Sequence, residues 1–351
     1  MYTVHTAQPS PSTPDPLVPL EQIQAAQTRL RRYLKPSPLV RADAYSTRLG
    51  CDLSFKLELL LPTHAFKVRG ALNALLTMSD AARRVGVVTA SGGNHGLGLA
   101  YAARQLGVRA LVTLPITTPA IRADTIRSLG GEVIVHGDDW NAANDRALEM
   151  VASHGYTYLS PFDDPQVMAG QGTIALEILE QAPDTEVVVC SVGGGGLISG
   201  VASALKQLRP AVRVVGVETL GADCVSQSLA QGELITLPHF TSVAESLGTR
   251  RSSARPFAII RAGVERVVTV PDARAVEELL YTLNREKLLA EPAATCTLAA
   301  LADGLIPDLA GRRVVSVICG GNITLEQVET WRTRFALTSA AGQGKLGVPG
   351  A

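Results

Sequence analysis

Apolar residues fall into short, nearly uninterrupted runs through the middle of the chain, with helix-length segments between them. The runs are Val85–Ala90, Ala110–Leu114, Glu132–Val135, Thr157–Leu159, Glu186–Val192, Arg213–Val217, Val267–Val270 and Val314–Ile318. Continuous runs, as opposed to strict alternation, are expected of strands that helices cover on both faces. The repeated strand-then-helix order predicts an α/β fold with parallel sheets. Eight or more parallel strands can close into one barrel or lie in two open sheets, and periodicity does not separate these. Two glycine clusters, Ser91–Gly96 and Gly193–Gly196, each follow a strand and precede a helix, about a hundred residues apart. Each can head its own sheet.

Length and composition narrow the class. At roughly 150 residues per domain, 351 residues suggest two domains, and 46% hydrophobic with 18% charged residues is the balance of a globular protein. Thirty-two basic side chains against thirty-two acidic ones give zero net charge, which removes the footprint of a nucleic-acid binder and favours a small-molecule partner. No apolar stretch reaches the roughly 18 residues that a membrane-spanning helix needs. The start carries Pro9, Pro11, Pro14, Pro16 and Pro19 without a basic, then hydrophobic, leader. It reads as a loose tail, and the protein as cytoplasmic. Cys51, Cys190, Cys224, Cys296 and Cys319 form no CxxC pair, so neither a disulfide framework nor a zinc ribbon is expected.

Four motifs carry candidate chemistry. The tetraglycine Gly193-Gly194-Gly195-Gly196 lets backbone N–H groups approach an anion at a helix start, so a phosphate is the natural guest, with a tight turn as the alternative. A dinucleotide fingerprint fails, because G-x-G-x-x-G counted from Gly193 ends on Ile198 and from Gly194 on Ser199. In Phe66-Lys67-Val68-Arg69-Gly70, preceded by Lys56-Leu57-Glu58, Lys67 is either a surface lysine or an amine nucleophile activated by desolvation. Ser91-Gly92-Gly93-Asn94-His95, between a strand and a helix, is an ordinary turn or a carboxylate cradle. Cys319-Gly320-Gly321-Asn322 follows the last strand, where its thiol either reaches a ligand in the crevice or stays inert in the core.

In order and spacing the four motifs together resemble the pyridoxal-phosphate enzymes of the tryptophan-synthase β-subunit fold (fold type II), and within them the serine/threonine dehydratases. Ala100–Gly107, Pro161–Pro165, Thr241–Ala244 and Glu291–Ala293 look like the L-serine dehydratase branch. The resemblance covers about Leu20 to Phe335. It implies two open, mostly parallel sheets, with a large domain from 20–69 and 161–336, a small one from 70–160, and tails at 1–19 and 337–351.

The resemblance also implies chemistry: β-elimination of a 3-hydroxy amino acid such as L-serine or L-threonine to a 2-oxo acid and ammonia. Lys67 would carry the cofactor and act as base at Cα, with Phe66 against the cofactor ring. Gly193, Gly194, Gly195 and Gly196 would hold its phosphate, Asn94 its 3-oxygen, and Cys319 would face its ring nitrogen. The loop Ser91, Gly92, Gly93, Asn94 and His95 would take the substrate carboxylate. Gly92 stands where serine racemases of this fold carry an acid–base serine. Glu218, Ala222 and Asp223 resemble a segment that binds a monovalent or divalent cation, although Cys224 suits a hard cation poorly, which leaves a monovalent ion held mostly by carbonyls, or no ion, as the alternatives. Ala65 replaces the usual hydroxyl before the Phe-Lys pair, so a different hydroxy amino acid can be the true substrate. A homodimer is implied, and feedback regulation by an appended domain is not expected. The alternatives are β-replacement or synthase chemistry on the same scaffold, or a ligand-binding protein without activity.

Overall fold

A computed structural model describes residues 16–337. Among these residues ten strands form two open sheets: β1 Leu39–Arg41, β2 Asp52–Leu57, β3 Val87–Ala90, β4 Ala110–Leu114, β5 Glu132–Val135, β6 Thr157–Tyr158, β7 Val187–Ser191, β8 Arg213–Thr219, β9 Arg266–Val270 and β10 Arg313–Ile318. One sheet has the order β1-β2-β10-β7-β8-β9 and the other β5-β4-β3-β6. All pairs are parallel except β1 with β2. This is the two-sheet α/β architecture, not a barrel. β3, β4 and β7 are buried at every position, which is why they read as continuous apolar runs. Among the described residues no helix is long and apolar enough to cross a membrane.

Three details differ from the sequence reading. Val85 ends the helix Asp80–Val85, and Gly86, at φ 108°, turns the chain so that the strand starts at Val87. β1 and β2 were not foreseen, because β2 carries a fully buried lysine, Lys56, where a polar residue suggests an exposed face. Residues 1–15 and 338–351 of the expected tails lie outside the described residues. Val18, also assigned there, is buried, and its N–H donates to Ser203 Oγ at 3.0 Å.

Lys56 belongs to a buried charge network that anchors the Lys67 helix. Arg69 lies one residue beyond Lys67's neighbour in the helix Lys67–Thr77 and is 1% exposed. It donates to both oxygens of Glu58 (2.7 and 2.8 Å) and both of Glu177 (2.6 and 2.8 Å). Lys56 Nζ donates to Glu177 at 2.6 Å. Two cations thus face two carboxylates, joining the end of β2, the Lys67 helix and the helix Pro165–Gln181. Arg69→Ala would leave two buried carboxylates with one cation. Loss of one partner of a buried pair costs about 3–5 kcal/mol, and denaturant unfolding should show a loss of that order.

Candidate active site

β7 and β10 are parallel neighbours, but the chain leaves β7 toward β8 on one side while β10 pairs with β2 on the other. A crevice opens beyond the carboxyl ends of strands at such a switch point. There a cleft of ≈ 420 Å³ is lined by Phe66, Lys67, Asn94, Ser191, Gly193 to Gly196 and Cys319, with Phe162, Leu197, Ser246, Leu247, Glu291 and Ala293. All four sequence motifs therefore meet, though they come from distant parts of the chain.

Phe66 N–H donates to Cys319 O at 3.0 Å, and Ala65 bridges Gly320, so the lysine segment is tied to the end of β10. Lys67 Nζ donates to Pro161 O at 2.7 Å and lies 5.1 Å from the Phe66 ring centre. Burial lowers its pKa to about 8, against a smaller opposing pull from Cys319 and Glu291. A fraction of this amine is neutral at physiological pH, which is the condition for a nucleophile.

The tetraglycine leads into the helix Gly196–Leu208, whose first amides have no acceptor within the helix. A Cβ on Gly194 would fall 2.3 Å from the Phe162 ring, and one on Gly196 would lie 2.7 Å from Phe162 Cα. Gly195 has φ 96°, and a Cβ there would meet Pro256 at 2.9 Å. Glycine is thus required by packing as well as by any anion, a point invisible in the sequence.

Of the Ser91–His95 loop, only Asn94 lines the cleft. Its Nδ2 donates to Glu291 Oε1 (2.9 Å) and Ser246 Oγ (3.2 Å), and its Oδ1 accepts from Asn322 Nδ2 at 2.7 Å. Two motif asparagines, Asn94 and Asn322, therefore contact each other directly. Ser91, Gly92 and Gly93 lead into the helix Asn94–Leu106 and are partly exposed. His95 is buried, and its Nε2–H donates to Leu159 O at 3.1 Å. Burial, then the nearby Lys67, lowers its pKa to about 3, so the ring is neutral and not an acid. Glu291 received no role from sequence, yet its carboxyl is buried in the cleft, and that burial raises its pKa. Burial, then Glu291, also holds the Cys319 thiol well above its ordinary pKa.

At the Glu218 segment the carboxylates are engaged by the protein itself. Glu218 accepts from Val225 N–H (3.0 Å) and Ser226 N–H (2.7 Å), occupying the N-terminus of the helix Cys224–Gln231 with both oxygens. Asp223 accepts from Gly221 N–H and Gln227 Nε2, and Ala222 is buried beside them. Among the described residues no group of three His, Cys, Asp or Glu side chains is placed to hold a metal ion.

The cleft fits pyridoxal phosphate by its donor set: a desolvated amine, an aromatic face, a thiol, and a glycine cradle at a helix N-terminus. A two-sheet α/β fold with this cleft at its switch point defines a cofactor-dependent enzyme of amine chemistry. The chain belongs to the pyridoxal-phosphate dependent enzyme family, which matches residues 30–320. It is 38% identical over 312 residues to an L-threonine ammonia-lyase of Geobacter sulfurreducens, covering 89% of this chain and 77% of that protein. The processed form of threonine deaminase isoform 2 from Solanum lycopersicum superposes with a TM-score of 0.86 at 32% identity, covering 91% and 94% of the two chains. Maize serine racemase gives 0.85 at 30% identity, covering 90% and 97%.

Proposed function

We propose that the protein removes the β-hydroxyl and the amine of L-threonine, yielding 2-oxobutanoate and ammonia. The convergence of Lys67, the tetraglycine, Asn94 and Cys319 on one cleft carries the reading. Relatives named for threonine at 38% and 32% identity support threonine as first substrate. L-Serine is the second reading, favoured by the thiol at Cys319, whose place resembles that of the serine dehydratase branch.

Bound pyridoxal phosphate supplies the electron sink that makes the Cα–H bond acidic. Lys67 is the amine that holds it and the base that takes up the Cα proton. The Ser91–Asn94 segment receives the substrate carboxylate at the N-terminus of the helix Asn94–Leu106. Cys319, kept neutral, cannot hold a ring nitrogen protonated as a carboxylate would. That keeps the sink weak and favours prompt loss of the hydroxyl over return of the proton.

The test is 2-oxo acid release from a panel of L-threonine, L-serine and other 3-hydroxy amino acids. Threonine should lead. No 2-oxo acid from any of them, with a thiol instead incorporated into O-acetylserine, would replace this reading with β-replacement.

With Lys67 the base on one face and a glycine, Gly92, where an acid–base serine would stand on the other, elimination should proceed without racemisation. A hydroxyl at position 92 should change that. However, a Cβ on Gly92 would lie 2.9 Å from Thr118 Cγ2, so the serine needs room. We expect Gly92→Ser combined with Thr118→Ala to form D-serine from L-serine, and the unmodified protein to form none. Chiral chromatography of residual serine decides it, and D-serine from the unmodified protein would refute the one-face arrangement.

A further inference from the structure

Two side chains meet at the end of the β7–β10 pair. Ser191, the last residue of β7, is 4% exposed, and Cys319, the first after β10, is 2% exposed. Both line the cleft. Ser191 Oγ donates to Cys319 Sγ at 3.4 Å. The backbone of Cys319 is already fixed, since its carbonyl accepts from Phe66 N–H. What the backbone leaves free is the direction of the thiol.

A thiol has one proton and accepts weakly. The nearby Cys296 directs its proton to Ala293 O at 3.3 Å. Among the described residues Cys319 Sγ has no hydrogen-bond partner besides Ser191. Because the serine proton is directed at the sulfur, the thiol proton must point away from Ser191. The thiol borders the open cleft, and burial keeps it protonated. A buried donor without an acceptor is costly, so the arrangement calls for an acceptor on whatever fills the cleft.

We propose that Ser191 is a positioning residue that turns the Cys319 thiol into a hydrogen-bond donor aimed at the aromatic nitrogen of the cofactor. This rests on the placement of Cys319 in the proposed function. A donated bond also polarises the thiol, because hydrogen bonds in a chain strengthen one another. Ser191→Ala would leave the thiol free to rotate and weaken the contact without emptying the cleft.

The experiment uses the cofactor-loaded protein and two readouts besides turnover: the visible absorption maximum of the bound cofactor with its pH dependence, and the cofactor Kd. Ser191→Ala should move the maximum toward that of Cys319→Ala and raise Kd by about two- to tenfold, the range of one neutral hydrogen bond. Ser191→Thr, which keeps the hydroxyl, should restore both. In a Cys319→Ala background, Ser191→Ala should change neither, because the sulfur through which it acts is gone. An unmoved spectrum in Ser191→Ala, or an equal change with and without the sulfur, overturns the proposal while leaving the cofactor reading intact. Absence of any visible cofactor band in the unmodified protein would overturn both.

Discussion

Lys67→Ala should release no measurable 2-oxo acid, a loss beyond about 10⁴-fold, because it removes a general base together with the amine that holds the cofactor. No neighbour replaces it. Lys56, the nearest alternative in sequence, is 0% exposed and bonded to Glu177 at 2.6 Å, to Ser37 O at 2.6 Å and to Gln181 at 2.9 Å. Borohydride reduction and peptide mapping of the unmodified protein should therefore place the cofactor on Lys67, and finding it on Lys56 would refute the assignment. The lowered pKa adds a pH signature. Only the neutral amine attacks a carbonyl, so cofactor uptake by the cofactor-free protein should rise about tenfold per pH unit below about 8 and level off above it.

The same shift has a stability consequence of fixed sign. Lys67 binds its proton less tightly in the folded chain than at the ordinary 10.5, so the folded state is penalised wherever the unfolded amine is charged. That penalty is full below about 8 and fades as pH rises from about 8 toward 10.5. In the cofactor-free protein at neutral pH, Lys67→Ala should not lower the melting temperature and should raise it slightly. Arg69→Ala, two residues away, should do the opposite. The pair separates a lysine held for chemistry from an arginine held for structure, as in other sites where function costs stability.

How much of this was legible in the sequence differs by residue. The inner strands were, because burial on both faces leaves only apolar side chains and the run itself is the signal. β2 was not, since Lys56 is paired through space with Glu177, and nothing local to Asp52–Leu57 marks that partner. Lys67, Asn94, Cys319 and the tetraglycine were legible as motifs, but their meeting in one cleft required the fold. Glu291 shows the limit: a lone glutamate before a proline becomes a site residue only through Asn94, 197 positions away. Glu218 shows the reverse. Its segment resembles a cation site, while its carboxylate also caps the helix that follows, a use that the motif alone does not reveal.

Gly194→Asp should raise the cofactor Kd roughly 10³-fold beyond the rise caused by the uncharged Gly194→Asn. Two unit charges about 4 Å apart repel by about 4 kcal/mol at an effective dielectric of about 20, which corresponds to that factor. Part of any loss will be steric, because a side chain here must push Phe162, itself a wall of the cleft, from a contact of 2.3 Å. Gly194→Asn has nearly the same shape without the charge and isolates that part. Both variants should weaken binding, Asn by displacement of Phe162 alone and Asp by displacement plus repulsion, so the ratio of their Kd values measures the anion. A ratio near one, by equilibrium titration of the folded variants, would mean that the loop holds no phosphate. Its glycines would then serve only the close approach of Phe162, Leu247 and Pro256, each of which a Cβ on Gly193, Gly194, Gly195 or Gly196 would meet within about 3 Å.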